Sequence, residues 1–267
     1  MPTLYPPYCS LFPIPYKFKL MQELPNSLEA AIEQAKQATK AALDDGYKLI
    51  QIELVFPEIE LEAQSIALEF IPVIEKPDSQ LVVLFPDTGA AALARRDWGQ
   101  TTFRVTDLGT SRSPVETRLQ PEDQQFLVVS PSAIEVAQVE KLSQFAGDKP
   151  VILLNPKLED IAIIGIGYAA RQLRERFIKT IESCYYLKSL EGATLRRCYP
   201  SMWEVWLEVD GQYQLITELP TKPVGDELDL ILAQATPGGD SSVSPTPQRP
   251  KKGVLSGLQS FLRALSR

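Results

Sequence analysis

The most informative stretch of the chain is FLVVSPSAIEVAQVEKLSQFAGDKPVILL, residues 126–154. It begins with an apolar run, Phe126–Val129, and ends with a second one, Val151–Leu154, and both runs have the length of a strand. A helix is predicted between them, from Ala133 to Phe145. Short strands that are apolar on both faces and are joined through a helix are typical of a parallel sheet with helices on both sides.

The same alternation is predicted for the first half of the chain. Ser27 is expected to cap the first helix, because a serine side chain at that position can accept a hydrogen bond from an N–H group of the first turn. The predicted elements are a helix that begins at Leu28 and ends at Gly46, a strand at 48–55, a helix at 61–70, a strand at 81–85, a helix at 89–96 and a short strand at 103–105.

The longest helix of the second half is predicted from Ala169 to Ser183. The prediction rests on Leu173, Phe177 and Ile181, which recur every four residues. We expect these three side chains to form the buried face of one continuous helix.

Beyond this helix the pattern changes to short strands with polar and apolar residues in alternation. Antiparallel strands are predicted at 194–199, 203–209 and 212–217, and Asp210-Gly211 is a two-residue turn of the type favoured in hairpins. The predicted fold class is therefore α/β: a mainly parallel sheet with helices on both faces, ending in an antiparallel C-terminal hairpin extension.

The two ends of the chain differ from this single domain, which is predicted to span residues 23–233. Residues 1–22 form a Pro-rich leader, predicted to be disordered because its five prolines prevent a helix. Met21, near the end of the leader, is an alternative start of translation. Residues 234–253 are rich in Pro, Ser and Gly and are predicted to be a flexible linker, and residues 254–267 are predicted to form a basic amphipathic tail helix.

Charge is divided unevenly between the domain and the tail. The whole chain carries 27 basic and 34 acidic residues, a formal net charge of −7. Residues 234–267 hold five basic groups and one acid, whereas residues 1–233 hold 22 basic and 33 acidic groups. A body with such an excess of acids would repel a phosphate backbone, so nucleic acid is not an expected partner.

The tail suits an anionic surface. A basic amphipathic segment on a flexible tether can lie on an anionic membrane or dock in a groove of a partner, and a tail without a role is the alternative. No apolar run of 18 residues is present, so no membrane-spanning helix is predicted. The residues expected to contact the membrane are Lys251, Lys252, Leu255, Leu258, Phe261, Leu262 and Leu265.

The composition excludes several kinds of active site. The chain has no histidine, which excludes an imidazole base, Ser–His and Cys–His nucleophile pairs and His-ligated metals. The cysteines Cys9, Cys184 and Cys198 show no close pairing, which argues against a zinc ribbon or a disulfide framework. A G-x-x-x-x-G-K-[ST] phosphate loop is also missing. No catalytic residue, no metal and no cofactor are predicted.

One candidate ligand site is a glycine-rich turn. Gly165, Gly167 and Ala170 fit the pattern G-x-G-x-x-A before a predicted helix, where small residues let the backbone approach a pyrophosphate. Arg171 belongs to the same candidate site, because an arginine can grip a phosphate. Glu182 and Glu191 lie near the distance at which a ribose-binding acid is expected. The alternative is that the small residues only permit a tight turn and close helix packing.

A second candidate ligand site is the junction from strand to helix at Asp87, Thr88 and Gly89. Ligands of open α/β sheets usually bind at such junctions, where Asp87 or Thr88 could hold a ligand hydroxyl or a magnesium ion. Either residue could instead cap the following helix.

Candidate partner-binding residues are more scattered. Arg95, Arg96, Trp98 and Arg174 belong to local basic clusters within the acidic body and could hold an acidic partner loop. The alternative for the arginines is that they are solvated or pair with neighbouring acids. Trp206 is predicted on the more polar face of its strand, where an aromatic side chain can anchor a partner or be partly covered by its own protein.

Several phrases of the sequence carry a family resemblance. They are LPNSLEAAIEQAKQATKAALDDG at 24–46, IELVFPEIEL at 52–61, LFPDTGAAALARRDWG at 84–99, VILLNPKLED at 151–160, IGIGYAARQLRERFIKTIESCYYLKSL at 164–190 and CYPSMWEVWLE at 198–208. Together they resemble a domain-of-unknown-function family of cyanobacteria and plastids. That family includes the Low Photosystem II Accumulation type of assembly factor and the C-terminal domain of a plastid adenylate kinase.

The resemblance implies a non-catalytic auxiliary or assembly factor of the photosynthetic apparatus. Its expected partner is a photosystem II subunit or another assembly factor, and its expected place is the cytoplasmic side, soluble or peripherally associated with the thylakoid membrane. The adenylate kinase does not imply kinase activity here, because the phosphate loop is absent. The alternative function is a nucleotide- or phosphometabolite-binding enzyme or sensor that uses the glycine-rich turn.

Overall fold

The computed structural model describes residues 23–75, 80–159 and 167–235. These residues form one nine-stranded sheet with helices on both of its faces. The strands are β1 (Leu49–Val55), β2 (Gln80–Phe85), β3 (Arg104–Asp107), β4 (Asp123–Val129), β5 (Val151–Leu154), β6 (Glu182–Leu190), β7 (Ala193–Cys198), β8 (Trp203–Val209) and β9 (Gln212–Leu219). The helices are α1 (Leu28–Asp44), α2 (Ala63–Ile74), α3 (Thr88–Trp98), α4 (Val136–Ala146), α5 (Tyr168–Arg176) and α6 (Asp226–Ala235). Short 3-10 turns cover Pro57–Glu62, Val115–Arg118 and Ile178–Thr180.

The strand order is β3-β2-β4-β5-β1-β6-β7-β8-β9. The strands from β3 to β6 in this order are parallel, and the pairs from β6 to β9 are antiparallel. The predicted fold class, a mainly parallel α/β sheet with an antiparallel C-terminal extension, is confirmed.

The sheet has a front face and a back face, which we define by the helices on them. On the front, Ile52 of β1 and Leu127 of β4 share one core with α1, α2 and α3. On the back, Leu153 of β5 packs with α4 and α5. At the antiparallel end of the back, α6 packs on Trp203 and Val205 of β8. Burial of both faces explains why the parallel strands are apolar at consecutive positions.

The face on which each connection lies depends on the direction in which it crosses the sheet. Those from β1 to β2 and from β2 to β3 contain α2 and α3 and run over the front, whereas those that return through β4 and β5 to β6 contain α4 and α5 and run over the back. Connections that run in opposite directions lie on opposite faces when all crossovers have the same hand.

Local chemistry sets the ends of several elements as predicted. Ser27 caps α1, and its Oγ accepts a hydrogen bond from the Ala30 N–H at 3.1 Å. In the turn between β8 and β9, Asp210 and Gly211 have φ angles of 51° and 77°. Positive φ at both turn residues gives the twist that joins neighbouring strands of a hairpin.

The predicted helix at 169–183 is wrong in its second half. α5 ends at Arg176, and Glu182 already begins β6, a strand that the pattern did not predict. Phe177 and Ile181 are both buried in the back core. The two residues lie at the ends of two different elements that pack against the same core. A spacing of four residues cannot distinguish this arrangement from one continuous helix.

Other boundaries differ by a few residues. α2 extends past the predicted end to Ile74, with Pro72 in its last turn. α4 begins later than predicted, because the Ser132 N–H and Oγ–H both donate to the Glu135 carboxylate at 2.9 and 2.7 Å and hold a separate turn before the helix. α6 was not in the predicted set. The leader and the tail helix lie outside the described residues, as does the linker beyond Ala235.

Candidate functional site

The carboxyl ends of β1 and β5 lie at the point where the strand order of the sheet reverses. These two strands are neighbours, but β1 leads to α2 on the front and β5 leads to α5 on the back. Adjacent strands whose connections leave to opposite faces are where open α/β sheets bind ligands.

Asn155, the residue after β5, holds this end of the sheet together. Its N–H donates to the Ile52 carbonyl at 2.7 Å, and its Oδ1 accepts the Leu54 N–H at 2.7 Å. Its φ of 48° is a left-handed conformation that asparagine tolerates better than most residues. The amide side chain therefore continues the hydrogen bonding of β1 where the main chain of β5 turns away.

On the back of the sheet, beside the carboxyl end of β1, lies the Glu53 cluster, which consists of Gln51, Glu53, Ser183 and Lys222. Gln51 Nε2 donates to Glu53 Oε2 at 2.8 Å, and Ser183 Oγ donates to the same oxygen at 3.5 Å. The Glu53 side chain is 15 % exposed. Burial raises the pKa of Glu53, and the nearby Lys222 ammonium partly opposes that rise.

Lys222 covers this carboxylate from the segment before α6. Its Nζ lies 3.9 Å from Glu53 Oε1, and it stands over the rings of Tyr186 and Trp203 at 3.8 and 5.3 Å from their centroids. Burial lowers the pKa of Lys222, against the attraction of Glu53. At this distance the ammonium and the carboxylate attract one another without a hydrogen bond, and the aromatic faces stabilise the charged amine.

The Glu53 cluster separates the back core from the apolar cluster beneath α6. Sequence reasoning missed it, although the alternation in β1 places Gln51 and Glu53 on one face of an otherwise apolar strand. Lys222 and Ser183 could not be assigned to it, because their distance along the chain gives no pattern. The contacts of the cluster tie β1, β6 and the segment before α6 together.

Of the predicted ligand residues at the start of α3, Asp87 caps the helix. Asp87 Oδ1 accepts the Ala90 N–H at 3.0 Å, and Thr88 Oγ1 donates to Asp107 Oδ2 at 3.2 Å. Gly89 leaves room for this cap, since a Cβ there would lie 3.0 Å from Asp87 Oδ1. All three residues are exposed.

The glycine-rich turn is described only in part, since Gly165 lies outside the described residues. Gly167 is the N-cap of α5 with φ −74°, and a Cβ at this position would meet no atom within 4 Å. Neither its conformation nor its surroundings require glycine. Ala170 is buried and Arg171 is exposed, and Glu182 pairs with Arg197 at 2.9 Å.

A surface groove of about 530 Å³ lies between α4 and α5. Of the predicted ligand residues, Ala170 lines it, whereas Asp87, Thr88 and Gly89 do not. Arg176 bridges to Glu140 with two hydrogen bonds of 2.7 and 2.9 Å in the wall of the groove. The structure therefore does not bring the described ligand candidates into one pocket.

The predicted partner-binding residues of α3 have contacts within the protein. Arg95 donates to the Val105 carbonyl at 3.0 Å, and Arg96 pairs with Asp97 at 2.7 Å. Trp98 packs between the rings of Phe85 and Phe103. On α5, Arg174 pairs with Glu159 at 2.8 Å.

Trp206 lies on the front of β8 and is only partly covered. Its ring lies 5.3 Å from the guanidinium of Arg196, and its Nε1 donates to Glu204 at 2.8 Å. Leu215, its partner across the strand pair, is 45 % exposed. Glu208 and Glu218 share this face, and we call these four residues, Trp206, Glu208, Leu215 and Glu218, the Trp206 face.

No helix in the described part of the chain is long and apolar enough to cross a membrane. No group of three or more Asp, Glu or Cys side chains in residues 23–75, 80–159 and 167–235 is arranged to hold a metal ion. The predicted membrane-contact residues, from Lys251 to Leu265, lie outside these ranges.

A comparison with protein families gives a match to a domain of unknown function, DUF1995, over residues 25–230. The chain belongs to the DUF1995 family. The DUF1995 domain begins just before α1 and ends within α6, so it contains the whole sheet, the Glu53 cluster and the Trp206 face.

Proposed function

We propose that this DUF1995 protein is a non-catalytic auxiliary factor of the photosynthetic apparatus. In this proposal it assists photosystem II biogenesis at the thylakoid surface through protein–protein contacts. It would then be related to the Low Photosystem II Accumulation type of assembly factor and to the C-terminal domain of a plastid adenylate kinase. The support is that the family match covers the same part of the chain as the phrases that carry this resemblance.

The observation that favours protein binding is the Trp206 face. α1 covers the front of the sheet only as far as β7. Beyond β7, the Trp206 face presents one aromatic and one aliphatic side chain. Aromatic side chains with a polar handle are enriched where proteins bind one another. A sheet extension of this kind offers a partner a rigid surface.

The proposal is tested by replacing the gene in its host with variants of the full chain. Leu215→Glu places a charge in the centre of the Trp206 face. The matched control is Leu230→Glu, which changes an exposed leucine (58 % exposed) on α6, on the other side of the sheet. Photosystem II complexes and their assembly intermediates are then measured by native electrophoresis.

We expect the deletion and Leu215→Glu to accumulate early photosystem II intermediates, and Leu230→Glu to behave like the wild type. Normal photosystem II accumulation in the deletion strain, under both moderate and high light, would refute the proposed function.

A further inference from the structure

The two edges of the sheet are unlike. β3, at one edge, has four residues, and the Arg95 guanidinium occupies its Val105 carbonyl. β9, at the other edge, has eight residues. Unpaired edge strands are a template for another chain, and proteins commonly block the edges that are not used.

Within residues 23–75, 80–159 and 167–235 no strand pairs with the outer edge of β9, so its backbone offers hydrogen bonds in the outward direction. Val209 and Gln212 flank the two-residue turn, and residues at that position exchange both hydrogen bonds across the hairpin. The alternation then directs the N–H and C=O groups of Leu215 away from β8. Leu215 thus offers backbone groups at the edge and an exposed side chain on the Trp206 face.

The charges around this edge indicate the chemistry of a partner. Glu208 and Glu218 lie at the two ends of the Trp206 face, on either side of Trp206 and Leu215. Residues 199–235 carry seven acidic groups and one basic group. The one base is Lys222, which is held by Glu53 on the back of the sheet.

We propose that β9 binds an extended, basic segment of a partner protein by strand addition. The segment pairs with the outer edge of β9, an apolar side chain lies on Trp206 and Leu215, and flanking lysines or arginines meet Glu208 and Glu218. Backbone pairing supplies affinity, and the alternate side chains supply specificity. This inference rests on the proposed function, since it names the kind of segment that a protein-binding factor would take.

The test selects a phage-displayed library of random 12-residue peptides on the full chain, with Glu208→Lys/Glu218→Lys as the counter-selected protein. We expect selected peptides to alternate apolar and basic residues. The consensus peptide is then synthesised, and its binding is measured by fluorescence anisotropy. We expect the double variant to bind it about tenfold more weakly or worse.

Two controls separate strand addition from attraction of charge alone. Glu227→Lys/Asp229→Lys makes the same charge change on exposed positions of α6 and is expected to bind the peptide like the wild type. A consensus peptide with N-methyl groups at alternate backbone positions keeps its charge but loses hydrogen-bond donors on one edge. When the methyl groups fall on the edge that faces β9, we expect binding to be lost.

Four results would overturn the inference. The first is equal binding by both charge variants or by both methylated forms of the peptide. The second is a dimer of this chain that Leu215→Glu dissociates, because the occupant would then be a second copy. The third is binding of the full chain itself to vesicles of anionic lipid that Leu215→Glu abolishes, because the occupant would then be a membrane. If the double variant still restores photosystem II in the deletion strain, this inference fails and the proposed function stands. A deletion strain without a phenotype refutes the proposed function, while the peptide result stands.

Discussion

Replacement of Arg196 by methionine tests how the antiparallel extension is attached to the rest of the sheet. Arg196 is fully buried, and its Nε donates to Glu204 at 2.7 Å. Its Nη1 donates to the carbonyl of Glu23, at the start of the described chain, at 2.6 Å. The guanidinium thus joins β7 to β8 and to the segment before α1.

Methionine keeps most of the volume but leaves the buried Glu204 carboxylate without its cation. Removal of one partner of a buried ion pair costs about 3–5 kcal/mol. For a domain of this size each kcal/mol corresponds to about 2–4 °C in Tm. We therefore expect Arg196→Met to lower Tm by about 6–20 °C.

The double variant Arg196→Met/Glu204→Leu removes both charges and is the decisive comparison. An apolar pair of similar volume often replaces a buried ion pair without loss. The Trp206 N–H loses its Glu204 acceptor, and the Glu23 carbonyl loses the guanidinium but keeps the Gln34 amide, at about 1 kcal/mol or less each. We expect the double variant to lie within about 2 kcal/mol of the wild type and above the single variant.

The free energy of unfolding is measured by urea titration, with tryptophan fluorescence and circular dichroism as independent probes. Arg176→Met is the control, because Arg176 pairs with Glu140 at the same distance but is 58 % exposed, whereas Arg196 is fully buried. Its effect is expected to be much smaller, since solvent screens exposed pairs. The reasoning is refuted if Arg196→Met costs no more than Arg176→Met, or if the double variant is as unstable as the single one.

Three further predictions follow from buried groups and from glycine. The free energy of unfolding of the wild type, relative to that of Glu53→Gln, should fall as pH rises above 4.5, because a carboxyl whose pKa is raised binds its proton more tightly in the folded state. Urea titrations from pH 4 to 8 measure this difference, and an increase of the difference with pH would contradict the prediction. Cys184 and Cys198 should resist iodoacetamide until the protein unfolds, as peptide mass spectrometry can show, because burial raises their pKa values to about 12 and about 11. Gly109→Ala should destabilise the protein by more than about 1 kcal/mol, because φ of Gly109 is 72° and a Cβ there would overlap the Ser113 carbonyl oxygen. Gly167→Ala should change the stability by less than about 0.5 kcal/mol, and equal Tm values for the two variants would contradict this prediction.

The parallel sheet could be predicted because its information is local. Runs such as Val151–Leu154 are apolar at every position, and each is as long as the strand that it forms. Helix caps are local too, so Ser27 was recognised. β6 could not be predicted, because the four-residue spacing of Phe177 and Ile181 is that of a helix. The two side chains are buried in the same core, but they belong to different turns of the chain.

The roles of the candidate functional residues are set by contacts between distant segments, and a single sequence does not show those contacts. Asp87 was assigned both a ligand role and a capping role, and in the structure its side chain makes the hydrogen bond of a cap. Trp206 was placed correctly on the polar face of β8, but its stacking on Arg196 required the pairing of β7 with β8. The Glu53 cluster joins positions from three distant segments, and no spacing rule connects them.

The position of β1 has a consequence for how the chain folds during synthesis. β1 is the first strand to be made, yet both of its neighbours come late: Leu54 bonds to a residue 101 positions further on, and Glu53 to one 130 positions further on. At ordinary rates of translation the second neighbour follows on the order of ten seconds later. During that interval β1, which is apolar except for Gln51 and Glu53, has two open edges. The central strand of the finished sheet is thus exposed to pairing with other chains in the unfinished protein, and its folding is governed by contacts of high sequence separation.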